Sequence, residues 1–272
     1  DFWTAYRSFT VSRPRLVSLL HCKGVTFHGV TACNSPSWNF HPFHCEAVGF
    51  YDVAVLAPKV SPNTDAIDPE GCDGVNVIGC RLSVGDDCIA IKSGKIYMGQ
   101  KYHTPCENIE IAWCAMLDGH GGVTVGSEMA GGVRHVRVHH CYMRGNDRGD
   151  PDGRSDYVQS REKQPVDDTT PTIGSIRFER VSARDCEACV GYILGLPERP
   201  AGEILIQDST FTFNPDGKPM APAMANGVEE CKCRGLIARF VDRITLRNAR
   251  FEGIRGQELD FQECGCSIQE KQ

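Results

Sequence analysis

A short pattern in which apolar and polar positions alternate recurs along the chain. Its copies are Gly24-Val25-Thr26-Phe27, Ala47-Val48-Gly49-Phe50, Gly74-Val75-Asn76-Val77 and Asn108-Ile109-Glu110-Ile111, then His135-Val136-Arg137-Val138, Ser175-Ile176-Arg177-Phe178, Glu203-Ile204-Leu205-Ile206 and Arg243-Ile244-Thr245-Leu246. Alternation with period two predicts a strand with one face turned inward. The leading apolar residues recur at separations of roughly 23 to 40 residues, a solenoid spacing. Two further positions keep step with them. Three residues before each lead stand Cys22, Cys45, Cys72 and Cys106, then Val133, Ile173, Ala201 and Val241. Five residues after it stand Val30, Val53, Cys80, Cys114, Cys141 and Val181, then Ser209 and Ala249. Small, mostly apolar residues at fixed phase predict a narrow core in which like side chains stack coil on coil. No long helical period competes. The expected fold is all-β: a single-stranded right-handed parallel β-helix, each coil hydrogen-bonded to the next.

Composition changes this picture in one respect. Cysteine is abundant, at 15 residues, and that odd number rules out complete pairing within one chain. The phased positions explain most of these residues as buried thiols that behave as small hydrophobes. The spacings Cys186-x-x-Cys189, Cys231-x-Cys233 and Cys264-x-Cys266 have a zinc-like look, but no matching His stands beside them, so structural thiols are the better reading and no metal is expected. The net charge of −6 speaks against nucleic acid and acidic lipid as partners, and it means an acidic substrate needs a local cluster of cations. No apolar run is long enough to span a membrane. The chain opens at Asp1 without Met or leader, so truncation at the N-terminus is expected. Turn-rich stretches lie at Asp150–Asp168 and Pro215–Pro222, but neither has the composition of a linker. One domain over 1–272 is expected, with a shortened or looped region at about 147–172, and the molecule is expected to be a monomer.

The chemistry concentrates between residues 63 and 94. Asn63-Thr64-Asp65 and Gly85-Asp86-Asp87 flank a strand-like stretch, and Gly119-His120-Gly121-Gly122 follows one repeat later. Gly-Asp-Asp alone reads as a solvated turn. Stacked coils, however, would bring His120 to the same place as the aspartates. Carboxyls held close together separate in pKa, so one keeps its proton while another is ionised. An acid beside a carboxylate base is what glycoside hydrolysis requires, without metal or redox cofactor.

Those three motifs, in that order on a β-helical repeat, resemble the polygalacturonase family, glycoside hydrolase family 28, whose members share a pectin-lyase-like solenoid. Arg13-Pro14-Arg15-Leu16, Asn34-Ser35-Pro36-Ser37-Trp38 and Gly126-Ser127-Glu128 add context, and the likeness is densest over residues 13–149. The resemblance implies hydrolysis of α-1,4-galacturonosyl linkages of pectin, an acidic polysaccharide, with inversion. In it Asp86 is the general acid, Asp65 and Asp87 hold and deprotonate the attacking water, and His120 sets protonation and geometry beside them. Two departures stand out. Ala66 takes the place of a Gly, which is unfavourable if that position needs positive φ. After Asn146-Asp147-Arg148-Gly149 the family's Arg-x-Lys pair, which grips the substrate carboxylate, is missing. Lys92 and Arg148 are the candidate replacements, and weakened activity is expected. The alternatives are a galacturonan-binding β-helix without turnover and a related hydrolase acting on rhamnogalacturonan. A ladder of unpaired thiols leans toward a reducing cytoplasm, with secretion as the alternative.

Overall fold

The computed structural model describes residues 12–145, 163, 165–221 and 230–269. Every copy of the alternating motif is a strand, and each pairs in parallel with the next. Val25 lies opposite Val48, Val48 opposite Val75, Val75 opposite Ile109 and Ile109 opposite Val136. The column continues through Ile176 and Ile204 to Ile244. One sheet therefore stacks all eight expected strands in the expected register. A further coil, Leu259–Gln269, extends it beyond Arg234–Glu252, with Cys264 opposite Val241 and Cys266 opposite Ile244. Polar and cysteine positions replace the apolar lead there, which is why the repeat pattern does not reveal it.

The second sheet runs beside the first through Thr31–Cys33, Ala54–Leu56, Arg81–Ser83, Ala115–Leu117, Tyr142–Arg144 and Ser182–Cys186. One residue per coil bends the chain between the two sheets. Gly29, Asp52, Gly79, Trp113, His140, Arg180, Asp208 and Asn248 occupy this corner, each four residues after its lead, all with φ between 48° and 69°. A third face carries Val17–Leu20, Phe40–Phe43, single bridges at Ile67 and Glu70, Ile89–Ile91 and Val123–Val125. Among the described residues the one helix, α1 (Ile96–Tyr102), is inserted after this face and ends at His103 in the left-handed region. The three faces wind as a right-handed parallel β-helix, the hand that parallel crossovers favour.

Side chains stack inside as the phase predicts. Phe27 lies on Phe50 at 5.3 Å, and Phe211 on Phe251 at 5.4 Å. All fifteen cysteines are free, and eleven are buried. The backbone N–H of Cys22 donates to Cys45 Sγ at 3.3 Å, and that of Cys45 to Cys72 Sγ at 3.4 Å. Burial pushes the Cys72 thiol up to about 12, which keeps it in the unreactive form. None of the closely spaced cysteine pairs gathers three potential metal ligands among the described residues. Charges outside pair from coil to coil, as with Lys23 and Glu46, Glu107 and Arg134, and Glu203 and Arg243.

Ala66 is fully buried and is not among the residues with positive φ, so the Gly-to-Ala departure carries no backbone strain. The left-handed residue of this turn is Asn63, at φ 55°. Arg148 and most of the 147–172 stretch lie outside the described residues.

Candidate active site

The carboxylates sit at one corner of the third face, where successive coils enter its strands. Backbone hydrogen bonds fix the stacking: Leu16 N–H to Trp38 O at 3.0 Å, Asn39 N–H to Asp65 O at 2.9 Å, Ala66 N–H to Asp87 O at 3.0 Å and Cys88 N–H to Gly121 O at 2.9 Å. Arg15, Trp38, Asp65, Asp87 and Gly121 thus occupy one position on five consecutive coils. Residues far apart in sequence become neighbours because parallel strands lie about 4.8 Å apart.

The local sequence holds this corner tightly. The guanidinium of Arg13 donates to the carbonyls of Pro36 and Pro62 and to Asn63 Oδ1. Asn63 is thereby kept in its left-handed turn, and its N–H donates to Asp86 Oδ2 at 3.0 Å. The Thr64 hydroxyl accepts from Gly85 N–H and donates to Ser61 O. Gly85 has no alternative: a Cβ there would lie 2.1 Å from Ser61 O. At Gly119, φ is 107° and a Cβ would meet Asp86 O at 2.4 Å. Both glycines allow the backbone of one coil to press on the next at the point where the acids emerge.

The structure brings Asp65, Asp86, Asp87 and His120 together. One oxygen from each of the three aspartates lies within 4.8 Å of the other two, a spacing that can share a proton or a small cation. His120 Nδ1 is 3.3 Å from Asp86 Oδ1. Asp86 and His120 reach solvent, with side chains 16% and 27% exposed, whereas Asp65 is buried.

Sequence reasoning missed Asp68, which is fully buried behind Asp65. Neither Asp68 oxygen, nor Asp65 Oδ1, has a conventional hydrogen-bond donor. Burial and the repulsion between these two carboxyls favour one proton on the pair. Burial drives both groups to hold it. Burial raises Asp68 to about 8, against the pull of the Lys92 charge. Asp65 is raised well above the ordinary range by burial and then by the charges of Asp68, Asp86 and Asp87. Burial and the Asp86 charge lift Asp87 to about 6, against Lys92, His120 and a hydrogen bond from Thr124. For Asp86 burial is outweighed: the hydrogen bond and charge of His120, with the N–H groups of Asp87 and Asn63, hold it below the ordinary value. The unliganded cluster therefore contains both protonated and ionised carboxyls at neutral pH.

Lys92 has a different place from the one expected of a substrate grip. It is only 5% exposed, its ammonium lies 3.2 Å from Glu128 Oε2 and 3.8 Å from Asp68 Oδ1, and it sits 4.8 Å from the ring centre of Trp38. Burial opposes its charge, but Asp68, Asp65, Glu128 and Asp87 outweigh that and hold the ammonium above its usual value. It is the internal counter-ion of the acids and is not free to seize an incoming carboxylate. Beside it, His41 Nε2 meets Glu70 Oε2 at 2.7 Å. Asp68, Glu70 and Glu128 stand within or next to the motifs, but only coil stacking shows that they share one site. A cavity of about 210 Å³ lined by residues including His103, Arg134 and Arg199 lies apart from this cluster.

Comparison with known proteins places this geometry. A probable polygalacturonase of Vitis vinifera is 25% identical over 94% of the chain and 59% of its own length. An endo-polygalacturonase of Pectobacterium carotovorum is 33% identical over 50% of the chain and 32% of its own length. The crystal structure of an exopolygalacturonase from Thermotoga maritima superposes with a TM-score of 0.64 at 23% identity, over 89% of the chain and 55% of that protein. The chain thus spans little more than half of even the most fully covered of these relatives. The model of glycosyl hydrolases family 28 matches residues 6–150, over half of the chain and the whole of the carboxylate cluster, and the chain belongs to that family.

Proposed function

We propose that the chain hydrolyses α-1,4-galacturonosyl linkages of a pectic polysaccharide, with inversion, through the Asp65, Asp86, Asp87 and His120 cluster. The observation that carries this reading is the convergence of three carboxyls, each offering an oxygen within 4.8 Å of the other two, beside a partly exposed His120 at 3.3 Å from Asp86. The nearest-oxygen spacing of 4.8 Å or less leaves room for a water that donates to both Asp65 and Asp87 at about 2.8 Å. Asp87 then removes the water's proton as general base. Asp86, which reaches solvent beside His120, protonates the leaving oxygen. In the unliganded protein Asp86 is ionised, so it must gain its proton on binding. A galacturonate carboxylate arriving beside it supplies the cause, because a like charge raises the pKa of its neighbour. His120, hydrogen-bonded to Asp86, is placed to hand over that proton.

Reducing-end release from polygalacturonate and digalacturonate tests the proposal, with Asp86→Asn as the control. Release by the unmodified chain that falls by at least a hundredfold in Asp86→Asn is expected. Tight binding of oligogalacturonate with no release by either protein would instead support a binding β-helix without turnover. The anomer formed first, followed by proton NMR, distinguishes inversion from retention.

A further inference from the structure

Acids gather in and around the cluster: Asp65 and Asp68 inside, with Asp86, Asp87, Glu70 and Glu128 nearer the surface. An anionic chain approaching it needs cations. Lys92 is buried and paired. Lys59 is engaged by Asp118 at 2.6 Å, and Lys95 by Glu128 at 3.7 Å. Arg15 differs from all three. It stands on the same stacked position as Asp65, two coils away, and its guanidinium lies 4.4 Å from the ring centre of Trp38 on the intervening coil. It is exposed, and no carboxylate among the described residues lies within ion-pairing distance of it. Its charge reaches the His41 imidazole next to it. Trp38 is itself braced, with His41 edge-on at 5.1 Å and the Lys92 ammonium at 4.8 Å. The ring therefore holds the guanidinium in one place, and among the described residues no carboxylate pairs with it.

We infer that Arg15, held on Trp38, forms a binding subsite for the carboxylate of an acidic sugar unit that is not the one being cleaved. This rests on the reading of the site as a binder of galacturonan and deepens it. Two coil steps of about 4.8 Å put the Arg15 row roughly 10 Å from Asp65, away from the scissile bond. A planar guanidinium matches a carboxylate through two parallel N–H donors, which a neutral ester cannot replace. The subsite would select chains that carry free carboxylates at that distance from the cut.

Calorimetric titration of hexagalacturonate and of its fully methyl-esterified form tests this, in an Asp86→Asn background that binds without cleaving. Arg15→Gln is expected to weaken hexagalacturonate binding by about tenfold, the loss typical of one charge-assisted contact. Arg15→Lys should recover part of it, and binding of the ester should be the same with Arg or Gln at position 15. Arg15 is exposed, so the thermal midpoint should not move. Unchanged hexagalacturonate binding in Arg15→Gln, or equal weakening for acid and ester, would overturn the subsite while leaving the proposed function standing. If the Asp86→Asn chain binds no hexagalacturonate and the unmodified chain releases no reducing ends, the functional reading falls and the subsite falls with it.

Discussion

Asp86 and Asp87 are adjacent in sequence and share one turn, yet their pKa values are shifted in opposite directions. The difference lies in what each faces. Asp86 points toward His120 and accepts from two backbone N–H groups, all of which favour its charge. Asp87 lies deeper, takes the repulsion of Asp86, and is lifted to about 6. If Asp87 is the general base, it must be ionised in the free protein, and kcat/KM reports free-protein ionisations. Turnover of a short galacturonan should therefore climb roughly tenfold per pH unit below about 6 and level off above it, and kcat/KM measured against pH checks this. A profile flat between pH 5 and 7 would remove Asp87 from that role. Lys92 shows the complementary lesson. An ammonium near aspartates in sequence looks like a substrate grip, but the fold uses it to offset charge that would otherwise be buried unpaired.

Among the elements, the first sheet was readable because its strands are long enough to show alternation and its leads keep one phase. The corner residues were readable only in part. Left-handed φ suits Gly29, Gly79, Asp52 and Asn248, yet the same corner holds Trp113, His140 and Arg180, whose side chains give no such signal. The third face was not readable at all. Its strands are three or four residues long or reduced to a bridge at Ile67, so no period can establish itself. That face positions the carboxylate cluster, which explains why the aspartates and His120 were legible as motifs and Trp38 only as supporting context, while Asp68 and His41 were not. Their proximity depends on stacking across more than twenty residues of chain. The backbone geometry makes its own prediction at Ala47, an exposed non-glycine residue at φ 52° before the lead Val48. Ala47→Gly removes a left-handed strain of about 1 kcal/mol, less the entropy that glycine loses on folding. A net gain of about 0.5 kcal/mol in urea unfolding is expected, and a loss of stability would show that the site is not strained.

For the molecule as a whole, each coil touches only its neighbours, so stability is nearly a sum over coil interfaces. The carboxylate cluster spans the middle of the described N-terminal coils, and its ionisation therefore acts on interfaces that hold the two ends of the solenoid together. The raised pKa of Asp68 gives this a direction. With Asp68 raised to about 8 in the folded chain, the native state keeps a proton that the unfolded chain releases near the ordinary carboxylate value. That contribution is complete below about pH 4 and is lost as pH rises toward 8, so the fold should weaken across this window. One retained proton changes stability by about 1.4 kcal/mol per pH unit, and half of that slope between pH 5 and 8 is about 2 kcal/mol, or about 5 °C in a chain of this size. Asp68→Asn removes the titrating group while keeping a side chain of nearly the same shape. Its thermal midpoint should fall less over the same range, because only Asp87 and Asp65 remain to release protons, and should exceed that of the unmodified chain at pH 8. Thermal midpoints of the two proteins taken from pH 5 to 8 decide the matter: diverging lines assign the retained proton to Asp68, and parallel lines mean that Asp68 does not hold it.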